Sequence, residues 1–153
     1  MIRRSVVAMC ACVSWLWGGV SASMMAVEGQ RSYLQAEYGQ SLAPGTYSFV
    51  RLSMHPEHAF AEFYTHLEAG GGYAKVLASV QERGEGIYLG YGYPLATQAA
   101  TFQPFAYVGS SNGSFSKIFG LYGELRQRIR GVQPFLEVGV ADETLFLRLG
   151  ANF

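Results

Sequence analysis

The sequence predicts an all-β protein: an up-and-down antiparallel transmembrane β-barrel of eight strands that follows an N-terminal signal peptide. Three observations support this prediction. Segments of about ten residues alternate apolar with mixed side chains, which is the pattern of tilted membrane strands. The last strand, LFLRLGANF, has the same alternation and ends on an aromatic residue. The first residues of the chain have the order of an export signal.

Residues 1–22 form the predicted signal peptide. Arg3 and Arg4 precede an uncharged apolar run over 5–17, which is too short to cross a bilayer as a helix, and small residues at 20–22 provide a cleavage site. A buried N-terminal helix is the alternative. Cleavage removes both cysteines, so the exported chain would carry no disulfide. It also leaves 9 basic against 11 acidic residues without a basic patch, which argues against nucleic acid as a partner.

Alternation is clearest in the second half of the chain. The segment GIYLGYGYPL places five apolar side chains on one face, namely Ile87, Leu89, Tyr91, Tyr93 and Leu95. The same period of two recurs in 101–110, 118–128 and 133–141, with charges, glycines and aromatics on the opposite face. A soluble β-sandwich would also fit this pattern. A barrel is favoured because aromatics and glycines suit a crowded lumen. It is also favoured because the chain ends on a strand, as a closed barrel requires if no edge is to be left unpaired in lipid.

Taken together, these features resemble the small eight-stranded outer-membrane β-barrel proteins of Gram-negative bacteria, the opacity- and adhesin-like type. The resemblance implies a porin-like barrel over 31–153 in the outer membrane, after a short lead at 23–30. In that family an aromatic terminus with alternating apolar residues is the signal read by the barrel-assembly machinery. Carried over to this chain, the assembly signal is Leu145, Leu147, Leu149, Ala151 and Phe153. The other implied partners are outer-membrane lipid and lipopolysaccharide, around a monomer.

The strand count needs one adjustment to reach eight. Nine extended runs can be recognised, starting at residues 31, 46, 59, 73, 86, 101, 117, 132 and 143. Bacterial single-chain barrels have an even number of strands, so nine cannot close. THLEAG at 65–70 resembles QPFLEVG at 133–139, which runs outward in the family orientation. Residues 71–85 are then expected to be an external excursion, with apolar residues at helical spacing. Strands at both 59–69 and 73–82 remain an alternative, as does a helix over 57–69.

This arrangement assigns each connection to one side of the membrane. The expected external loops are 41–46, 71–85, 110–116 and 142–143. The expected periplasmic turns are 55–58, 96–100 and 129–131. Only 71–85 is long, so a high-affinity receptor-binding loop is not expected.

The inward face is expected to carry a polar core whose opposite charges pair. Its predicted members are Glu37, Arg51, Glu62, His66, Glu68, Glu124, Arg126, Arg128, Glu137 and Arg148. Eight strands leave an interior just wide enough for side chains, which favours a filled lumen. The alternative is a narrow conduction path or a proton-linked site around His66.

The function predicted from these features is a structural or surface-interaction role without enzymatic activity. The alternative is a barrel enzyme that modifies lipid A or phospholipid, but the loop serines Ser110, Ser111 and Ser114 have no histidine near them in the expected register. His55, Glu57 and His58 could bind zinc, yet a solvated turn at Pro56 is favoured. No metal or other cofactor is therefore expected.

Overall fold

The computed structural model describes residues 19–29, 32–81 and 84–153. Within these ranges no helix is long and apolar enough to cross a membrane. The described part of the chain contains eleven β-segments: β1 Gly19–Val27, β2 Tyr33–Ala43, β3 Thr46–Met54, β4 Ala59–Ala69, β5 Gly72–Gln81, β6 Gly84–Gly92, β7 Leu95–Ala96, β8 Ala100–Ser111, β9 Ser114–Leu125, β10 Gln133–Ala141 and β11 Thr144–Asn152.

The strands form one closed antiparallel barrel. Each strand pairs with its neighbours in the chain, and β1 pairs with β11 to close the ring. Both β6 and the two-residue β7 pair with β8, so they are one strand interrupted at 93–94. The described barrel therefore has ten strands in up-and-down order.

The prediction of eight strands is wrong, although the requirement for an even number holds. All nine extended runs of the sequence are strands, and the alternative helix over 57–69 is replaced by β4. The expected excursion at 71–85 contains β5, in which Tyr73, Lys75 and Leu77 face inward and Val76 faces outward. A segment this short fits a period of two and a helical spacing equally well.

The tenth strand, β1, lies where the signal peptide and lead were predicted. Ser21 pairs with Asn152, and the backbone N–H of Phe153 donates to the carbonyl of Val20 at 2.8 Å. Cleavage after Ala22 would remove the first four residues of this strand. Residues 1–18 of the predicted signal lie outside the described residues, and the signal peptide stays a prediction.

The two ends of the barrel are named here by their connections. The terminal rim contains the start of β1, residue Phe153 and the connections 44–45, 70–71, 97–99 and 126–132. The distal rim contains the turns 55–58, 112–113 and 142–143, together with the ends of β1 and β5 and the starts of β2 and β6. The connection 41–46 was expected outside the membrane and 55–58 in the periplasm. With the second half of the barrel as the reference, each of them lies at the opposite rim from the expected one. Omitting β5 from the count inverted the direction of every strand before it.

Alternation separates an apolar outer surface from a packed interior. Leu121, Val138 and Leu147 are neighbours across β9, β10 and β11, and all three are exposed on the outside. The interior contains a buried cluster of Tyr64, Leu77, Tyr88, Phe105 and Tyr107.

Interior glycines make room for the aromatic rings. Five of them lie directly opposite an aromatic residue on the neighbouring strand, in the pairs Gly39–Phe49, Gly90–Tyr107, Gly120–Phe105, Gly139–Phe146 and Gly150–Phe135. A Cβ at any of these glycines would collide with an aromatic ring of the interior. The rings therefore lie against the barrel wall instead of projecting across the lumen.

Candidate functional site in the barrel lumen

Arg51 on β3 lies between two carboxylates on the adjacent strands. Its direct partners in the sheet are Glu37 on β2 and Glu62 on β4. The guanidinium donates from Nε to Glu37 at 2.7 Å and from Nη1 to Glu62 at 3.2 Å, and its Nη2 donates to the Tyr64 hydroxyl at 3.2 Å. Direct opposition in the sheet places these charges within reach without distorting the strands.

Arg148 on β11 extends the ion pairs across the interior. It is bonded to Glu137, its direct partner on β10, and its Nη1 lies 3.9 Å from the same Glu37 oxygen that accepts from Arg51. The guanidinium carbon is 5.1 Å from the centre of the Phe135 ring. Glu37 thus connects two arginines that belong to different parts of the barrel wall.

Lys75 on β5 completes a layer of six charged side chains, defined here as the charged layer: Glu37, Arg51, Glu62, Lys75, Glu137 and Arg148. Its ammonium nitrogen lies 4.1 Å from the centre of the Tyr64 ring and 5.0 Å from that of Tyr107. None of the ion pairs in the described ranges involves Lys75. The layer carries three cations and three carboxylates, so its formal charge is balanced.

Two cavities lie on opposite sides of this layer. One of about 340 Å³ extends toward the terminal rim, where Tyr47, Tyr73 and Glu124 line it. Another of about 230 Å³ extends toward the distal rim, past Ser79 and Thr144. Six side chains line both cavities: Arg51, Lys75, Phe105, Tyr107, Glu137 and Arg148. These shared side chains form the partition between the two spaces.

The structure brings five of the ten predicted lumen residues together in the charged layer: Glu37, Arg51, Glu62, Glu137 and Arg148. His66 lies nearer the terminal rim, with its ring centre 5.0 Å from Phe49, 5.3 Å from Tyr64 and 5.7 Å from Tyr73. Glu124 accepts a hydrogen bond from the Tyr122 hydroxyl at 2.9 Å and lines the larger cavity.

Three predicted lumen residues lie at the terminal rim instead. Glu68 is exposed and accepts a hydrogen bond from the Tyr47 hydroxyl at 3.2 Å. Arg126 and Arg128 follow the end of β9, and they donate to backbone carbonyls of rim residues at 2.8 and 3.2 Å. The assignment of Arg126 and Arg128 to the lumen is wrong because the alternation was continued past Leu125, where β9 ends.

Sequence reasoning missed two groups of interior polar residues. Lys75 was assigned to a loop, although its spacing of two residues from Tyr73 and from Leu77 places all three on one face of a strand. A second group joins β1, β2 and β3: Ser23 donates to the Gln35 amide oxygen at 3.2 Å, and the Gln35 amide nitrogen donates to Ser53 at 2.9 Å. Ser53 is completely buried, so this bond satisfies an otherwise costly hydroxyl.

At the distal rim, Asp142 joins the turn between β10 and β11 to the adjacent strand β9. The buried Tyr88 hydroxyl donates to Ser116 at 3.1 Å, and Ser116 in turn donates to the Asp142 carboxylate. The backbone N–H of Lys117 donates to the other carboxylate oxygen at 2.8 Å. The hydrogen bond from Ser116, followed by that from Lys117, lowers the pKa of Asp142 below the usual aspartate value.

The candidate metal and catalytic groups do not form a site. The ring centres of His55 and His58 are 5.9 Å apart, and the His55 Nδ1 accepts the backbone N–H of Glu57 at 3.2 Å. No group of three or more potential metal ligands occurs in the part of the chain that the structure describes. Ser110, Ser111 and Ser114 lie at the distal rim, whereas His66 lies nearer the terminal rim.

The predicted assembly signal occupies the outer face of the last strand. Leu145, Leu147 and Leu149 are exposed there, and Phe153 is 57% exposed just beyond the strand. Their apolar surface is continuous with that of β10, since Leu149 lies opposite Leu136. Their part in assembly remains a prediction.

The fold is that of outer-membrane β-barrels. No protein-family profile and no curated protein matches the chain. The solved KdgM porin is similar over 88% of this chain and 98% of its own, with a TM-score of 0.60 and 8% identity. The similarity to the translocator domain of autotransporter NalP from Neisseria meningitidis extends over 100% of this chain and 94% of that domain, with a TM-score of 0.56 and 11% identity. These similarities and the ten strands do not single out the opacity- and adhesin-like type.

Proposed function

We propose that this chain is an integral outer-membrane protein, exported through a signal peptide, whose lumen is closed at mid-height by the charged layer. Its role is structural or involves surface contacts, without enzymatic activity. The exposed apolar residues of the outer face support residence in a bilayer, and the similarity in fold to outer-membrane barrels supports that compartment. The assembly machinery would act on β11 and Phe153 during insertion.

The partition between the two cavities is the observation that carries this proposal. Its charged members belong to the charged layer and are held by ion pairs and by cation–π contacts. Within the whole charged layer, three cations balance three carboxylates. A balanced layer gives no net field to draw ions of one sign through the lumen. Opening a path would require several mutually paired groups to move, and exposing a single buried charge is costly.

A pore is the second candidate, supported by the cavity on each side of the layer. One of the similar structures is a porin by name, and another is a translocator domain. In this candidate function the side chains of the charged layer would move to connect the two cavities. A lipid-modifying enzyme has less support, since the serines and His66 lie toward opposite ends of the barrel.

Two measurements test the proposal in sequence. Outer membranes are first run on a gel with and without boiling, where a folded barrel is expected to change its migration. The purified barrel is then added to a planar bilayer, where we expect no steady current. A barrel with Glu137→Ala and Arg148→Ala should conduct, because both residues line both cavities. Val138→Ala on the outer face is the matched control. Stable open channels in the unmodified protein would overturn the closed-lumen proposal in favour of the pore.

A further inference from the structure

Three arginines gather in one connection at the terminal rim. Arg126, Arg128 and Arg130 lie between β9 and β10, and all three are exposed. None of them takes part in the ion pairs found in the described residues. The Nη1 groups of Arg126 and Arg128 bond to the carbonyls of Thr97 and Gly131, which leaves most of their N–H donors unused.

The same connection presents an apolar side chain between its charges. Ile129 is 54% exposed and lies between Arg128 and Arg130 in the sequence. Arg130 and Gly131 have φ of 52° and 83°, and they turn the chain so that Ile129 and Val132 form a bridge. Cations interleaved with an exposed apolar residue are typical of protein surface that meets lipid headgroups.

An apolar groove lies on the outer face, at the same end of the barrel as these arginines. It has a volume of about 310 Å³ and crosses strands β8 to β11. Gly123 on β9 lies opposite Phe102 on β8 and Leu136 on β10, and its missing side chain leaves the gap between them. From Gly123 to Arg126 the chain advances three residues, which is about 10 Å along a strand.

We propose that the groove and the three arginines form a binding site for one anionic phospholipid of the leaflet at the terminal rim. An acyl chain would occupy the gap at Gly123, and the phosphate would contact the guanidinium groups. Arginine suits this role because its planar fork of donors matches phosphate oxygens. The inference rests on the proposed membrane location, and it adds a preference for one class of lipid.

The test measures lipid binding to the purified, folded barrel by native mass spectrometry. Phosphatidylglycerol and phosphatidylcholine with the same acyl chains are the two probes. We expect tighter binding of phosphatidylglycerol. Changing Arg126, Arg128 and Arg130 together to Gln should weaken that binding about a hundredfold and leave phosphatidylcholine binding unaltered. Lys117→Gln is the matched control, since it removes an exposed cation near the distal rim.

Two further arms separate the groove from the charges. Gly123→Leu should fill the groove and reduce retention of both lipids, with the arginines unchanged. Inorganic phosphate should not displace phosphatidylglycerol, because it lacks the acyl chain. Equal binding of the two lipids, or unchanged phosphatidylglycerol binding by the triple variant, would overturn this inference. The boiled and unboiled gel is run on every sample, so failure of the barrel itself is recognised before lipid is added.

Discussion

The ammonium group of Lys75 lies 4.1 Å from the centre of the Tyr64 ring, in the middle of the barrel. An aromatic face stabilises a partly desolvated cation by roughly 0.5–2 kcal/mol. Among the described ion pairs, Lys75 is the one cation of the charged layer without a carboxylate partner. Its length still matters, because the side chain lines both cavities.

A pair of substitutions at Lys75 separates its charge from its volume. Lys75→Met should keep the barrel folded and non-conducting, because the thioether chain still fills the partition. Lys75→Ala should connect the two cavities and give measurable single-channel currents in a planar bilayer. Equal conductance of the two variants would show that the side chain does not form the partition.

Glu137→Ala should destabilise the barrel by about 3–5 kcal/mol, because it removes the direct partner of a buried arginine. Arg148 would be left with Glu37 at 3.9 Å, an oxygen that Arg51 already shares. The measurement is urea unfolding of the barrel in lipid vesicles. Glu68→Ala is the control at the exposed rim and should cost less than about 1 kcal/mol. A similar loss in both variants would contradict the special position of Glu137.

Arginine at Leu121 or Val138 should destabilise the inserted barrel by about 2–4 kcal/mol if these positions lie near the bilayer midplane. The two residues are direct neighbours on the outer face. Arginine at Ser111, at the end of β8, should cost far less. Gly70 is a poorer control, because its φ of 60° strains any other residue. Unfolding midpoints in vesicles give the comparison, and equal tolerance at all three sites would rule out this lipid face.

Deleting Phe153 should lower the amount of folded protein in the outer membrane and leave export across the inner membrane intact. The deletion shortens the chain and removes the terminal ring, which is 57% exposed. Phe153→Ala keeps the chain length, so it isolates the contribution of the ring. Folded yield is measured on unboiled gels of membrane fractions. A normal yield from both variants would refute an assembly role for this residue.

Acid should weaken the hairpin at Asp142. Its carboxyl has a lower pKa in the folded barrel than in the unfolded chain, so its contribution is fully present above about pH 4 and is lost as pH falls toward the lower folded value. Asp142→Asn should abolish this part of the pH dependence and tolerate the φ of 47°. Glu143→Gln in the same turn is the control. Unfolding midpoints between pH 3 and 7 that match in Asp142→Asn and the parent would argue against the Asp142 contribution.

The alternation of side chains was sufficient to predict an all-β barrel and its outer face, but not the two strands that bring the count to ten. The run of β5 was set aside because Tyr73, Val76 and Leu77 have helical spacing. In the strand Val76 faces away from the other two, and pairing with β4 and β6 establishes it. In β1 the segment GVSASMMAV is built of small residues and adjoins an export signal. Its strand character comes from partners at the far end of the chain.

Residues of the candidate site could be predicted where they lie on strands that the side-chain alternation identified correctly. Glu37, Arg51 and Glu137 follow from the inward phase of their strands, whichever number of strands closes the ring. Lys75 was lost together with its strand. Arg126 and Arg128 were wrongly assigned to the lumen, because β9 ends at Leu125 and no glycine or proline marks the turn there.

The pairing of β1 with β11 also governs how the protein can fold. The pairing of Met24 with Leu149 joins segments from opposite ends of the described chain, so it forms only after the last strand has emerged. Every shorter intermediate is an open sheet with two unpaired edges, each able to pair with another chain. The incomplete barrel is therefore prone to pair with other chains until the ring closes, and a protein that covered both edges during biogenesis would prevent such pairing.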